Sequence, residues 1–281
     1  MQESVKAGYL IFDIETIPDG QLIAETKYPD LKLTAHEAIV RAQDEARASS
    51  SSGSDFLPLT FHVPVAICVL KVGVDYRLQS LGCLDEPLYR PEVMVAQFWK
   101  GATHYNAKLV SFNGRQFDIP VLELAAFRYG LQIPWHFKGD NSNRGFKDKG
   151  PRNRYSELHL DLMEFFSNYN AYRMTGGLNL LSKLIGIPGK FEMNGSSVYS
   201  MILTGNHAAV NEYCSFDVLD TYFVFLRSMV LTGSLTLSEE QQLRTEAHAW
   251  LHTESEKQQH LKRYLERWPV PDNHAILATH A

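Results

Sequence analysis

The amino-acid sequence predicts an α/β domain. Short apolar runs with the character of buried strands come early in the chain, and segments with helical periodicity lie between and after them. The chain has 281 residues, of which 44% are hydrophobic, so it is long enough to bury a substantial core. We find no internal repeat, which argues against a solenoid or a propeller.

The N-terminal elements are predicted to be a strand, a turn and a helix. Residues 8–14 form a nearly continuous apolar run, as expected for a strand that is buried on both faces. Pro18, Asp19 and Gly20 then predict a turn. Residues 34–48 predict a helix with Thr34 as its N-cap, and a serine-rich surface loop follows. We expect no domain boundary at this loop, because neither side of it carries a complete pattern.

The middle of the chain predicts a β-hairpin and then a helix–strand–helix unit. The hairpin strands are residues 63–72 and 76–81. The following unit comprises helix 91–100, strand 108–112 and helix 117–129, which has apolar residues at helical spacing.

Three helices are predicted in the last third of the chain. Residues 178–184 form a short helix, and residues 210–231 form a long and very apolar one. Residues 238–267 predict a single amphipathic helix at the end.

The net charge restricts the kind of nucleic-acid contact that the chain could make. Subtracting 32 acidic from 27 basic residues gives −5. A protein that grips duplex nucleic acid over its whole face does so by neutralising phosphates, and this balance argues against that class. The charge balance is compatible with an enzyme that binds phosphates through metal ions and one local basic segment.

Membrane insertion and disulfide formation are not expected. The longest apolar run, residues 63–70, is too short to span a bilayer, and the first residues lack the pattern of a signal peptide. Three widely spaced cysteines, Cys68, Cys83 and Cys214, predict neither a zinc cluster nor a disulfide partner. These features favour a reducing, cytoplasmic setting.

An acidic pair, Asp13 and Glu15, ends the first predicted strand. Residues i and i+2 of a strand share a face and lie roughly 6.6 Å apart along the chain. Burying two like charges in an apolar strand is costly unless cations compensate, and hard divalent ions with oxygen ligands would do so. Chance alone supplies about one such pair in a chain of this composition. Taken by itself, the pair is therefore better explained by a strand end that reaches solvent.

Two further acidic segments lie later in the chain. Asp118 falls in the first turn of a helix, after a turn at Asn113, where it could equally serve the helix dipole. Tyr213 and Asp217 occupy positions i and i+4 of the long apolar helix and therefore share a face. No lysine or arginine lies within one helical turn of Asp217, so a buried carboxylate there needs another partner. Asp220 could be the exposed residue instead.

The three acidic segments occur in the order strand end, strand–turn–helix and late helix. They are residues 12–16 (FDIET), 112–120 (FNGRQFDIP) and 213–217 (YCSFD). Together they resemble the three motifs of DEDDy-class 3′–5′ exonucleases, and they are most similar to those of stand-alone proteins related to the proofreading domain of family-B DNA polymerases. Further likeness lies in residues 159–163, 178–189 and 217–222, so the resemblance covers roughly residues 8–230.

The resemblance implies a ribonuclease H-like fold, with a central mixed β-sheet flanked by helices. Under it we expect residues 1–235 to form the exonuclease domain. Residues 236–281 would then form an additional C-terminal helix packed on the same domain.

The resemblance also implies the catalytic residues. Asp13, Glu15, Asp118 and Asp217 would form a four-carboxylate site for two divalent cations, Mg²⁺ or Mn²⁺, with Asp13 shared between them. Tyr213 would position the attacking water or help to deprotonate it. A packing role for Tyr213, with its hydroxyl at the surface, stays open.

The implied activity is hydrolysis of phosphodiester bonds from the 3′ end of single-stranded DNA, with release of nucleoside 5′-monophosphates. Two alternatives stay open. One is an exoribonuclease with the same chemistry, since the motifs do not read the 2′-hydroxyl. The other is a non-catalytic nucleic-acid-binding protein that retains the fold.

Several residues are candidates for binding the substrate. Thr16 could present its backbone to the terminal nucleotide, and Asn113 could bind the substrate or fix the turn. Asp161 is more readily explained as an N-cap than as a ligand. Residues 143–155 form a basic segment that could track a strand or could be a solvated loop. Its cations are Arg144, Lys147, Lys149, Arg152 and Arg154, and Phe146 and Tyr155 could stack on bases.

Overall fold

A five-stranded mixed sheet forms the centre of the computed structural model, which describes residues 6–139, 149–189 and 195–268. The strands are β1 (Ala7–Pro18), β2 (His62–Gly73), β3 (Leu78–Cys83), β4 (Lys108–Ser111) and β5 (His159–Asp161). They lie in the order β3-β2-β1-β4-β5, with β1, β2 and β3 antiparallel and β1, β4 and β5 parallel. This confirms the predicted α/β class and mixed sheet.

Helices cover both faces of this sheet. In the described part of the chain they are α1 (Gly20–Lys27), α2 (Ala35–Ser49), α3 (Pro91–Tyr105), α4 (Asp118–Arg128), α5 (Leu162–Phe166), α6 (Gly177–Leu184), α7 (Gly195–Leu203), α8 (His207–Leu231), α9 (Leu237–Glu254) and α10 (His260–Glu266). Helices α3 and α4 pack on one face of the sheet and α8 packs on the other. The result is a three-layer arrangement with a core on each side.

Strand β1 sets the side on which its acidic residues lie. Phe12 and Ile14 are buried in the core with α3 and α4, whereas Ile11 is buried in the core with α8. Because side chains alternate along a strand, Asp13 and Glu15 project to the same face as Ile11. The alternation therefore directs both carboxylates toward α8.

Helix α8 is apolar around most of its circumference because other elements surround it. It packs on β1 and β2 and is covered by α6 and α9. Asn206 caps its N-terminus by accepting a hydrogen bond from the amide of Ala209. A helix buried on nearly all sides offers few polar positions, so each carboxylate on it requires a specific environment.

The predicted turn at Pro18–Gly20 leads directly into α1, a helix that the sequence patterns did not predict. Asp19 accepts a hydrogen bond from the amide of Leu22 at 3.1 Å and so caps α1. Helix α1 packs against α2, which begins after Thr34 as predicted, with a capping box between Thr34 and Glu37.

The prediction of one C-terminal helix over residues 238–267 is wrong, because the chain forms α9 and α10 there. Leu251 and Tyr264 are both buried in the core around α8. On one straight helix, 13 residues at 3.6 per turn would place them roughly 140° apart. The chain must break between them for both side chains to reach the same core.

The expectation that no cysteine has a disulfide partner is also wrong. Cys68 and Cys83 are directly opposite each other on β2 and β3 and are joined by a disulfide. Strand register, which the linear spacing does not reveal, brings them together. The cysteines therefore no longer support the argument for a reducing compartment.

None of the helices in the described ranges combines the length and the apolar character that a transmembrane span requires.

Candidate active site

Three carboxylates meet between β1 and α8. Oxygen atoms of Asp13, Glu15 and Asp217 lie within 4.8 Å of one another. Glu15 is buried, and the other two are partly buried. The period-two alternation of β1 presents the first pair on one face, and α8 packs across that face with Asp217.

Asp118 joins this region from α4. Its Oδ1 accepts a hydrogen bond of 3.2 Å from the backbone amide of Ile14, the residue between the acidic pair. The side chain is 3% exposed. The structure thus holds Asp118 against β1 and next to the cluster, although its oxygens do not belong to the three-residue group.

The pKa values of Asp13 and Asp118 reflect both their burial and the negative charges around them. Burial raises the pKa of Asp13 well above its usual range, and the negative charges of Asp118, Asp217 and Glu15 raise it further. Burial likewise raises the pKa of Asp118 to about 7. A hydrogen bond from the Cys214 thiol, 3.7 Å from Asp13 Oδ2, acts in the opposite direction on Asp13.

A divalent cation fits this set of donors. Clustered carboxylates with raised pKa values are stabilised as anions when a cation lies among them, and carboxylate oxygens are the ligands that Mg²⁺ and related hard ions prefer. Asp13, Glu15 and Asp217 could hold such an ion together.

Tyr213 lies one helical turn before Asp217 and is 3% exposed. Burial is the largest cause that raises its pKa, followed by the charges of Asp217 and Glu15, and its hydroxyl is hydrogen-bonded to Asp217. A phenol with a raised pKa keeps its proton at neutral pH. The side chain therefore suits a hydrogen-bond donor better than a general base.

A cleft of about 320 Å³ opens beside the cluster. Its walls in the described part of the chain are Asp13, Phe112, Asn113, Met163, Gly176, Gly177, Leu178, Asn179, Asp217 and Asp220. Sequence reasoning did not single out the pair Gly176–Gly177, although two glycines before a helical pattern were a visible signal. Both have positive φ, at 89° and 54°, a conformation that favours glycine.

Asp220 is the more buried of the two acidic residues considered on α8, contrary to the alternative that it is the exposed one. It is 1% exposed, and its Oδ1 accepts a hydrogen bond of 2.7 Å from the hydroxyl of Tyr264 on α10. Burial raises its pKa to about 7, and the hydrogen bond from Tyr264 opposes that shift. The C-terminal helix α10 thus contacts a residue in the wall of the cleft.

Asp161 organises the turn that carries Asn113. Its carboxylate accepts backbone hydrogen bonds from Asn113 at 3.0 Å and Arg115 at 2.9 Å, and it caps α5 through the amide of Met163. Asp161 is therefore the N-cap of α5, as the sequence analysis favoured, and it also fixes the turn that carries Asn113. Gly114 is required in this turn because a Cβ there would lie 2.3 Å from Ser111 Oγ.

The side chain of Thr16 forms a hydrogen bond with His62. Its hydroxyl is 2.8 Å from His62 Nδ1, and His62 Nε2 is 3.2 Å from the carbonyl oxygen of Leu57. Thr16 therefore fixes the end of β1 against β2 through its side chain.

The basic segment is only partly described, and its described arginines are paired. Arg144, Lys147 and Phe146 lie outside the described residues. Arg152 forms an ion pair with Glu123 and Arg154 forms one with Glu164. Lys149 accepts a hydrogen bond from Ser156 through its carbonyl oxygen. Among the described residues, none of these three cations lines the cleft.

Residues 54–268 match a family model described as a predicted 3′–5′ exonuclease related to the exonuclease domain of PolB. The match includes Asp118, Tyr213 and Asp217, whereas Asp13 and Glu15 precede it. The fold nevertheless brings that pair to Asp217. A search of curated proteins found no match.

Among solved structures, the chain is similar to the family B DNA polymerase from the hyperthermophilic archaeon Pyrobaculum calidifontis. The similarity has 12% sequence identity and a TM-score of 0.48. It covers 82% of this chain and 25% of the polymerase, so the chain spans about a quarter of that protein.

Asp118→Asn should remove part of the pH dependence of the metal-free protein. The pKa of Asp118 rises from 3.8 to about 7 on folding, so the folded state binds the proton more tightly and stability falls as pH rises between these values. With EDTA present, we expect the free energy of unfolding of the wild type to fall by on the order of 2 kcal/mol more than that of the variant between pH 4 and pH 8. Chemical denaturation at each pH would measure it.

The same experiment with Mn²⁺ at pH 8 tests the cation. Binding to the folded state should recover stability in the wild type, and recover less in Asp13→Asn. Identical pH profiles for wild type and Asp118→Asn would contradict the crowding of charges described above.

Asp161→Ala should destabilise the protein by about 2–4 kcal/mol, because it leaves several buried amides without an acceptor. Thr34→Ala, which removes an exposed N-cap, is the matched control and should cost about 1 kcal/mol. Urea unfolding would compare the two. A loss no larger than that of the control would show that Asp161 does not clamp the turn.

Proposed function

Because the chain belongs to the family of predicted 3′–5′ exonucleases related to the exonuclease domain of PolB, we propose that it hydrolyses single-stranded DNA from the 3′ end and releases nucleoside 5′-monophosphates. The observation that carries this proposal is the cluster of Asp13, Glu15 and Asp217 at the edge of a cleft. A binding protein without activity has no need of such a costly group of buried charges.

We propose that these three carboxylates, with Asp118 beside them, hold two divalent cations, Mg²⁺ or Mn²⁺. When bound, such ions supply the Lewis acidity that activates water and stabilises the leaving 3′ oxygen of an in-line displacement. The hydrogen bond from Ile14 to Asp118 and the rigid register of β1 hold the ligands in place before substrate arrives.

Within this proposal Tyr213 orients the reacting groups. Its hydroxyl keeps its proton, so it can donate a hydrogen bond toward the attacking water or a phosphate oxygen. The hydrogen bond from the same hydroxyl to Asp217 fixes the orientation of the Tyr213 side chain.

The cleft supports a substrate that enters by its end. Its volume of about 320 Å³ is at the lower limit of small-ligand pockets, for which about 300–1,000 Å³ is typical. Phe112 provides an apolar wall, and Asn113 provides an amide that could bind the terminal nucleotide. A space of this size suits the end of a single strand rather than a duplex.

A gel assay with 5′-labelled DNA and RNA oligonucleotides of one sequence tests the proposal. With Mg²⁺ or Mn²⁺, a descending ladder from the 3′ end is expected, and EDTA should abolish it. Faster shortening of the RNA would make the enzyme an exoribonuclease. Failure of both oligonucleotides to shorten with either metal would favour the non-catalytic binding protein.

Asp13→Asn should abolish cleavage while leaving the fold intact, because it removes a carboxylate that lies at the centre of the cluster. We expect at least about a 100-fold lower rate. The matched control is Asp30→Asn on an exposed loop, which should keep full activity. Circular dichroism would verify that both variants fold, and appreciable cleavage by Asp13→Asn would exclude Asp13 as a metal ligand.

Tyr213→Phe should lower the cleavage rate by about 10- to 100-fold and spare metal binding, because only the hydroxyl is lost. Tyr222→Phe is the matched control on the same helix, since it also removes one buried hydroxyl, which donates to the carbonyl of Tyr76. Single-turnover rates and Mn²⁺ titrations would separate the two effects. An unchanged rate in Tyr213→Phe would assign Tyr213 to packing.

A further inference from the structure

Three consecutive non-glycine residues between α5 and α6 adopt the left-handed backbone conformation. They are Asn168, Tyr169 and Asn170, with φ of 49°, 58° and 66°. Asparagine tolerates this region, but a tyrosine there is strained. Strain of this kind persists only where the surroundings enforce it, and it is common at functional sites.

Hydrogen bonds enforce the turn. The amide of Tyr169 donates to the carbonyl of Glu164 at 2.7 Å, and the amide of Asn170 donates to the buried hydroxyl of Ser167 at 3.0 Å. The hydroxyl of Tyr172 donates to the carbonyl of Phe166 at 2.6 Å. The turn is therefore ordered, and it directs aromatic rings outward: Tyr169 is 64% exposed and Tyr172 is 55% exposed.

Positive charge accompanies these rings. The Arg154 guanidinium lies 5.5 Å from the ring centroid of Tyr169 and donates to its carbonyl oxygen at 3.3 Å. Arg173 is exposed and forms no ion pair with any residue in the described ranges. We call Tyr169, Tyr172, Arg154 and Arg173 the tyrosine patch.

The tyrosine patch adjoins the cleft through its backbone. Met163 and Gly176 both line the cleft, and the segment that carries Tyr169 and Tyr172 connects them. The backbone carbonyl of Glu164, which follows Met163 directly, accepts the hydrogen bond from the amide of Tyr169. The segment that carries Tyr169 and Tyr172 is therefore joined to the wall of the cleft at both of its ends.

We propose that the tyrosine patch binds the nucleotides of a single strand that follow those in the cleft, with bases stacked on Tyr169 and Tyr172 and a phosphate held by Arg173, while Arg154, paired with Glu164, supports the Tyr169 ring. This inference rests on the proposed function and adds a subsite to it. Exposed aromatic rings interleaved with cations are the usual means of binding single strands without sequence preference. The charge of Arg173 also offsets the repulsion between phosphates and the acidic cleft.

The test compares long and short oligonucleotides. In the Asp13→Asn background, fluorescence anisotropy with an oligothymidylate of about 12 nucleotides should give a Kd about 5- to 100-fold weaker for Tyr169→Ala. Tyr169→Phe should retain the affinity because it keeps the ring. With Asp13 restored, cleavage of dithymidylate, which under this proposal occupies the cleft alone, should be unaffected by Tyr169→Ala.

A glycine variant separates stability from binding. Tyr169→Gly relieves the left-handed strain, so its unfolding temperature should be equal to or above that of the parent, whereas its affinity for the long oligonucleotide should fall. Phe127→Ala, which removes an aromatic side chain that is 87% exposed on α4, is the control and should leave affinity unchanged. Arg173→Ala should reduce the salt dependence of binding by about one phosphate contact, and Lys262→Ala should not.

Equal affinity of the parent and Tyr169→Ala for the long oligonucleotide would overturn the subsite. So would an equal loss with Phe127→Ala, or a loss of dithymidylate cleavage as large as the loss of binding. If oligonucleotides are still shortened by the wild type in those cases, the proposed exonuclease activity stands without the patch. If the long oligonucleotide binds at the patch but is never shortened, the subsite stands and the proposed activity fails.

Discussion

Repulsion between the carboxylates of β1, α4 and α8 is the constraint on which the rest of the site depends. Asp13 and Glu15 come from a central strand, Asp118 from α4 and Asp217 from α8. Because these charges repel one another, the three elements that carry them must be held in place by other contacts. Here a sheet covered by helices on both faces fixes all three elements at once, and the burial of its two cores offsets the electrostatic cost.

Residues outside the carboxylate cluster maintain this arrangement through hydrogen bonds. Asp161 clamps the turn before α4, and Thr16 ties the end of β1 to His62. Tyr264 reaches from α10 to Asp220, so the last described helix contributes to the wall of the cleft. These groups hold the backbone in place by means of hydrogen bonds, which is why a precise site can be built from side chains that repel one another.

Local patterns in the sequence predict β1 to β4, the cap at Thr34 and the shared face of Asp13 and Glu15, because each depends on neighbours in the chain. The three-residue strand β5 was not predicted, because it is defined by its pairing with β4. Features that depend on distant segments are not predictable in this way. The disulfide between Cys68 and Cys83 follows from strand register, and the wall at Gly176–Gly177 follows from the packing of α6 on α8. The charge of Arg152 and Arg154 was visible, but their pairing with Glu123 and Glu164 was not.

The two-residue repeat of β1 has a consequence for how this sequence can change over evolutionary time. Insertions into the serine-rich loop after α2 alter neither core, so that loop can vary in length. Loss of one residue within β1 would exchange its two faces, placing the carboxylates among the apolar side chains of α3 and α4 and Phe12 beside α8. Within β1, the number of residues before Asp13 can therefore change only in steps of two if the carboxylates are to stay on the face toward α8.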